Sequence, residues 1–333
     1  MNSLEGNTST RFFSSIFAEN DQITPKKAIE GNVMCSNKHN LNILGIPVAC
    51  YVHLMAGFSP AWAIDVQPRD YVYLPAGTNL ALLYYDYAHR SSINFDNGPT
   101  YTRGTNLDSH IGILRYVHYS ELGGLPVAAE VLVPFGSLND GKVHGNKLES
   151  TQGFADPYFA FVVWPYQNTE QGTDIAIASY TQPPLGTYNN EHVLNLGSNR
   201  WTQDFQVSGT QSFGNGLTID IEGDAIFYTD NTNANASGQT LRQDLTWQLQ
   251  SWISYDVTST SYVAVGYNGY FGGRQHIAGS FNGLKTSLHQ VRGTYAQFVT
   301  PTVQVLGSLY HDVSVDGGFK RDIGLTLRIL KVF

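Results

Sequence analysis

The sequence predicts an all-β protein, a closed antiparallel transmembrane β-barrel of about 12 strands. Three observations predict it. Apolar and polar residues alternate with period two in stretch after stretch, each broken by Gly, Asn, Asp or Pro. Short links alternate imperfectly with long ones, the asymmetry of a barrel with short periplasmic turns and long outer loops. The chain closes on "RDIGLTLRILKVF", where Ile323, Leu325, Leu327, Ile329 and Phe333 share one parity and Asp322, Gly324, Thr326 and Arg328 the other. A soluble strand would turn that oily face to a core, and terminal residues are usually loose; here the terminal residue is itself an aromatic on the oily face.

Composition narrows the classes. With 333 residues, 14% of them charged, the chain is neither disordered nor highly charged. A net charge of −8 and the lack of a Lys/Arg cluster exclude a nucleic-acid surface.

The elements follow in chain order. Residues 1–33 are expected to be a disordered upstream extension, because Met34 stands close before the basic residues Lys38 and His39. Residues 34–63 are expected to be a signal peptide: "LNILGIPVACYVHLMAGFSPAWA" (41–63) is apolar and closes on Ala61-Trp62-Ala63, a small-x-small cleavage pattern. A membrane-anchoring helix is the competing reading, weakened by Pro47 and Pro60. Both cysteines, Cys35 and Cys50, fall in this leader, so the exported chain is expected to have neither disulfide nor thiol chemistry. Acylation at Cys50 fits poorly beside Pro47, and cleavage there would leave Tyr51 to Phe58 as an exposed apolar tail.

From Ile64 onward no run approaches the roughly 18–20 apolar residues of a transmembrane helix. Residues 64–78, with Pro68, Pro75 and Gly77, are too irregular for a spanning strand; they are expected either to plug the lumen or to hang as a periplasmic tail. Residues 79–333 supply the barrel, with strands expected at 79–91, 106–120, 126–138, 154–166, 173–184, 199–213, 217–229, 240–257, 261–275, 285–299, 302–314 and 319–333. Each reaches the roughly 9–11 residues of a tilted spanning strand. The clearest is 217–229, where Leu217, Ile219, Ile221, Ala225 and Phe227 oppose Thr218, Asp220, Glu222 and Asp224. Those at 154–166 and 173–184 alternate least cleanly. Gly123-Gly124, Gly214-Asn215-Gly216 and Val315–Gly318 read as short turns, and 92–105, 139–153 and 185–198 as long loops.

Periodicity alone does not separate a sandwich from a membrane barrel. Tyrosines near strand ends (Tyr84, Tyr85, Tyr87, Tyr228, Tyr255, Tyr270, Tyr310) suit aromatic girdles, and a hydrophobic content of 42% is small for a large inward core. Closure also satisfies every backbone group within lipid.

Asp322, Gly324, Leu327, Ile329 and terminal Phe333 carry the spacing that resembles the C-terminal assembly signal of bacterial outer-membrane barrels. Further, "DVQPRDYVYLPAGTNLALLYYDY" (65–87), "ILRYVHY" (113–119), "LVPFG" (132–136) and "ADPYFAFVVWPY" (155–166) resemble the SphA-like or MetA-pathway-of-phenol-degradation family of Gram-negative outer-membrane proteins. The resemblance implies a channel or transporter in the outer membrane for small aromatic or other hydrophobic solutes, with membrane lipid and the barrel-assembly machinery as partners. It brings no set of binding residues, and the long N-terminal extension departs from it.

Inward parity places Glu130, Asp220, Glu222, Asp224, Asp244 and Asp322 in the lumen with Arg242, Arg292, Lys320 and Arg328. These charges are expected to pair, any surplus biasing which solutes enter. At about twelve strands the lumen is far narrower than in pores of roughly 16–18. Tyr228, Trp252 and Tyr310 on inward parity suit stacking on an aromatic solute, or simple filling. Asp220-x-Glu222-x-Asp224 offers hard-cation donors but reads as lumen wall, and the scattered histidines suggest no metal or cofactor. Ser212 in "GTQSFGNG" does not fit a nucleophile elbow, so no enzyme is expected. A structural or adhesin-like barrel that binds through its loops is the alternative, and a lipid hydrolase a lesser one. Lys331, on the oily parity, is tolerable only at the membrane edge, where its ammonium reaches water.

Overall fold

The computed structural model describes residues 65–333, so the expected extension and signal peptide lie outside the described residues. Twelve long strands carry the fold, with no helix among the described residues. They are β1 Asn79–Asn94, β2 Asn106–Leu122, β3 Leu125–Val143, β4 Tyr158–Asn168, β5 Thr173–Gln182 and β6 Thr202–Ser212. The second half comprises β7 Leu217–Tyr228, β8 Thr246–Thr258, β9 Ser261–Gly272, β10 Ser287–Thr300, β11 Val303–Asp316 and β12 Gly318–Val332. Each pairs antiparallel with its neighbours in sequence, and β12 returns to β1 in a register running from Leu80↔Val332 to Asn94↔Gly318. The seam ends in reciprocal bonds: the Asn79 amide donates to the Phe333 carbonyl at 2.9 Å, and the Phe333 amide to Asn79 at 3.0 Å. No sheet edge is left among these strands, as lipid demands.

The side chains are sorted opposite to a soluble protein. Leu83, Ile177, Phe205, Ile221, Trp247, Ile253, Leu309, Leu327 and Ile329 are exposed on the outside, while Gln206, Thr210, Asp220, Glu222, Gln250, Ser254 and Gln290 are buried inside. An apolar exterior around a polar interior is the arrangement of a barrel solvated by lipid. Lys331 points outward beside the turn at 301–302, donating to Thr302 Oγ1 at 2.6 Å, which puts it at the membrane edge.

The long connections 95–105, 144–157, 183–201, 229–245 and 273–286 share one end, and the short turns after β2, β4, β6, β8 and β10 share the other with Asn79 and Phe333. By the usual asymmetry the terminal end is periplasmic. One turn corrects the sequence reading: the link at Val315–Gly318 lies at the long-loop end, because β11 runs outward. There Gly317 (φ 74) accepts from the Lys285 amide at 2.9 Å. A second correction concerns residues 240–245, which do not extend β8. Leu241–Gln243 instead pairs with Gln275–Ile277, and that with Ser280–Phe281, in a small sheet within the outer loops.

The tyrosines also divide differently from a girdle. Tyr85 and Tyr255 are exposed, but Tyr84, Tyr270 and Tyr310 are buried in the lumen. Tyr310 lies flat against β12 because Gly324 has no side chain; a Cβ there would stand 1.8 Å from the Tyr310 ring. Asp322 is a further correction. The β1–β12 register shifts between His89 and Ser92, so Asp322 leaves the lumen row and accepts from the Ser91 amide at 2.7 Å, while Arg321 lines an interior cavity.

Candidate functional site in the barrel lumen

The irregular segment before β1 lies inside the barrel. Its first half, Asp65–Arg69, docks on polar groups of β7 to β11. The Val66 amide donates to Gln250 Oε1 at 3.1 Å, and the Trp252 indole donates to the Val66 carbonyl at 3.1 Å. Ser308 donates to Gln67 at 2.9 Å, and Tyr262 donates to the Pro68 carbonyl at 3.2 Å. Arg69 offers its amide to Asp220 at 3.2 Å, its Nε to Ser254 at 2.9 Å and its Nη1 to Asp256 at 2.7 Å. Asp65 receives Asn268 and Tyr270, each at 3.0 Å, and pairs with Arg292 at 2.8 Å.

The second half, Tyr71–Leu74, meets an apolar wall. Tyr71 is buried among Val162, Trp164, Ala176, Ala178 and Tyr180, with Tyr73 and Leu74 packed on the same cluster. The Trp164 indole donates to the Tyr71 carbonyl at 2.9 Å, and the Tyr71 hydroxyl donates to Gln206 while lying 2.8 Å from that of Tyr180. Burial pushes the Tyr71 hydroxyl well above its usual pKa, so it stays a neutral donor.

Between the halves, Asp70 bridges Arg328 at 2.7 Å and Arg115 at 3.2 Å, and Arg115 also holds Glu130 at 2.9 Å. Burial pushes the Asp70 carboxyl up, but the two guanidiniums outweigh it and hold it below the usual 3.8. Asp65 is lowered in the same way, burial opposing Arg292 and Arg321.

Of the residues expected to line the lumen, Glu130, Asp220, Glu222, Asp224, Arg292 and Arg328 are buried inside, and Lys320 is half-buried near the loop end. Arg242 and Asp244 are not among them, since they sit in the loop sheet, where Asp244 approaches His276 at 3.4 Å. On β7, Asp220 accepts from Thr210 at 2.7 Å and Asp224 accepts from Gln206. Asp220, Glu222 and Asp224 stand in a buried row along the inner face of β7. Trp252 is turned inward but lies under Val66, its ring against Gly266, and does not reach the cavity above.

That cavity, about 1310 Å³ counting its open mouth, lies between the lumen segment and the outer loops. Tyr84, Tyr158, Tyr228 and Tyr310 ring it with Ile113 and Leu132; Asp65 and Gln67 border it on one side and Ser198 and Arg200 on the other. Arg200 stacks 4.5 Å over Tyr228, whose hydroxyl donates to Thr246 at 3.0 Å; Tyr310 donates to Asp86. The covering loop 183–201 is pinned by Asp156, which accepts from the Gly186 amide at 2.7 Å and from the Ser198 amide at 2.6 Å. Leu194 and Leu196 from that loop are buried with Ile93, Leu107, Ile111 and Leu138.

Sequence reasoning missed Asp65, Arg69, Asp70, Tyr71, Tyr84, Asp86 and Arg115. Tyr84, Asp86 and Arg115 lie on inward parity in β1 and β2 and were findable that way. The segment's charges gave no sign of their partners on distant strands.

The family model for the MetA-pathway of phenol degradation matches residues 90–329. Among solved structures, the chain is similar to the COG4313 outer membrane channel from Pseudomonas putida F1, with 30% identity and a TM-score of 0.77 over 81% of this chain and 100% of that one. It is also similar to the CymD monoaromatic hydrocarbon channel (11% identity, TM-score 0.44, covering 78% of this chain and 89% of that one). The NanC porin gives 9% identity and a TM-score of 0.44, covering 76% of this chain and 98% of that one. No curated protein matches the chain.

Proposed function

Because the chain belongs to the MetA-pathway-of-phenol-degradation family, we propose that it is an outer-membrane channel admitting small, mainly apolar solutes of aromatic size. The cavity ringed by Tyr84, Tyr158, Tyr228 and Tyr310 carries this reading. Four rings presenting apolar faces and a few polar tips suit a flat solute with one hydroxyl, and apolar lining with sparse polar groups is the common make-up of small-molecule sites. Tyr228 and Tyr310 are the stacking residues in this account, and Trp252 is not.

A solute entering past loop 183–201 would rest against the lumen segment. Onward passage requires Tyr71–Leu74 to withdraw from Val162, Trp164, Ala176 and Ala178, so the segment acts as a plug. The vacated apolar strip would then guide the solute toward the periplasm, while Asp220, Glu222, Asp224 and Arg292 keep the opposite wall wet. A hydrolase reading has less support: His110, His289 and His311 bond to Tyr85, Tyr267 and the Asp322 carbonyl on the outer surface. Outside, the apolar belt meets lipid, and Gly324, Leu327, Ile329 and Phe333 are offered to the assembly machinery. Removing Phe333 is expected to slow assembly while leaving the conductance of assembled channels unchanged.

The test is electrical. In planar bilayers containing the full chain, phenol added on the loop side is expected to interrupt the ionic current in proportion to its concentration, and glucose is not. Indistinguishable responses to the two would sink the proposal.

A further inference from the structure

A second cavity, about 780 Å³ counting its mouth, opens at the loop end between β1, β11, β12 and segment 273–286. Arg90 and Arg321 both line it, and they are direct register partners across the β1–β12 seam. Like charges directly opposite in a sheet repel, and Asp312 beside Arg321 offsets part of that repulsion.

The carboxylates in reach are shared with other donors. Asp312, which lines the same cavity, pairs with the Arg321 Nε at 3.8 Å and also accepts from Gln290 at 2.7 Å and from the Arg321 main-chain amide at 2.8 Å. Asp86 accepts through Oδ2 from Thr326 at 2.8 Å and from Tyr310, and Lys285 is held by Asp96 at 3.0 Å and Asp316 at 3.7 Å. Among the described residues, Arg90 donates through Nη1 alone, toward Ser109 at 3.0 Å and the Ala88 carbonyl at 3.5 Å. The Arg321 guanidinium donates no hydrogen bond among the described residues and lies 5.3 Å over Tyr310. Each guanidinium carries five N–H donors in a planar fork suited to a carboxylate. The rest of the lining is mixed: Leu107, Leu138, Leu284 and Phe319 supply an oily part, beside the polar Gln275, Thr286 and Asp312.

We propose that this cavity binds an organic carboxylate with an apolar or aromatic body. Its two oxygens bridge Arg90 and Arg321 as charge-assisted hydrogen bonds, and its body lies on Leu107, Leu138 and Leu284. The site goes beyond the channel reading, since a neutral aromatic has no use for it. Binding can be measured without any flux, so the two proposals fail separately.

The experiment is equilibrium dialysis of radiolabelled benzoate against the purified full chain in detergent. Saturable binding is expected, displaced by unlabelled phenylacetate but not by benzyl alcohol or inorganic phosphate at the same concentration. Arg90→Gln and Arg321→Gln should each weaken binding by about tenfold or more. Each variant is checked for the heat-dependent gel shift of a closed barrel; should one not fold, the competition series on the unaltered chain still decides. Absence of saturable binding overturns the proposal, as does displacement by benzyl alcohol, equal displacement by phosphate, or unchanged affinity in both folded variants.

Discussion

Two arcs of the lumen wall differ in kind. From β1 to β5 the inward side chains include Leu80, Leu82, Val117, Ala128, Val162, Trp164 and Ala178; from β6 to β11 they include Gln206, Thr210, Glu222, Gln250, Ser254, Asn268 and Gln290. The lumen segment is divided to match, Tyr71–Leu74 on the first arc and Asp65–Arg69 on the second. Even the aromatics of the polar arc are used through their polar atoms: Trp252, Tyr262 and Tyr270 all donate to the segment. Hydrogen bonds fix direction and register, whereas apolar burial is non-directional and accepts any surface of the right shape. The polar arc therefore holds the segment in place, and under the proposed function the apolar arc is where a solute would substitute for it.

The harshest way to break this comparison is to delete residues 65–74. With both arcs uncovered, conductance in planar bilayers is expected to rise several-fold, and discrimination between phenol and glucose to fall. An unchanged conductance would mean that the segment does not obstruct the path.

Single substitutions separate ionic from neutral anchoring of the segment. Asp70→Asn leaves Arg328 and Arg115 short of their shared carboxylate, and loss of one partner from a buried ion pair costs about 3–5 kcal/mol. Glu130 and Gln304 remain beside the two arginines and bring the loss to the low end. Tyr71→Phe removes one neutral hydroxyl, which donates to Gln206 on β6, about 1 kcal/mol. Open probability should therefore rise by roughly tenfold or more for Asp70→Asn and by less than tenfold for Tyr71→Phe. The reverse order would assign the anchoring role to the neutral contacts of Tyr71.

Acid probes the same contact. The docked Asp70 and Asp65 carboxyls titrate below the usual 3.8. Docking energy from them is therefore complete above the undocked value, about 3.9, and is lost as pH falls through the docked value beneath it. Conductance recorded from pH 7 downward is expected to stay low at pH 5 and to rise only below about 4. Opening already near pH 6 would require a different latch.

The same contrast explains what the sequence made legible. All twelve strands were readable because lipid fixes one face as apolar, and alternation shows wherever the other face is polar. On the polar arc, Thr218, Asp220, Glu222 and Asp224 against Ile219, Ile221 and Phe227 make that plain. The strands β4 and β5 alternated poorly for a physical reason: Val162, Trp164, Ala176 and Ala178 face inward against Tyr71 and its neighbours, so both faces are apolar. Asp322 was misread because a bulge changes parity without a sequence mark. Arg242 and Asp244 were misread because the loop sheet has the same period as the barrel. Where the lumen segment lies depended on long-range pairs, Asp65 with Arg292 and Asp70 with Arg328, that no local pattern encodes.

The smallest effect is expected where the arcs meet, at the seam. Tyr310 belongs to the polar arc, yet its ring crosses Gly324 so that its hydroxyl reaches Asp86 on β1. A methyl group at 324 would overlap the ring and push Tyr310 off β12; overpacking of this kind costs about 1–3 kcal/mol. Gly223, on the outer face of β7, has no atom within 4 Å of a built Cβ, so Gly223→Ala serves as the control for backbone effects alone. Gly324→Ala should lower the temperature at which the barrel loses its heat-dependent gel shift, and Gly223→Ala should leave it nearly unchanged. Because Tyr310 also lines the first cavity, Gly324→Ala should weaken phenol blockade as well, joining the seam to the solute path. Equal, small shifts for both variants would mean that the Tyr310 ring turns aside freely, and that the seam does not couple the two arcs.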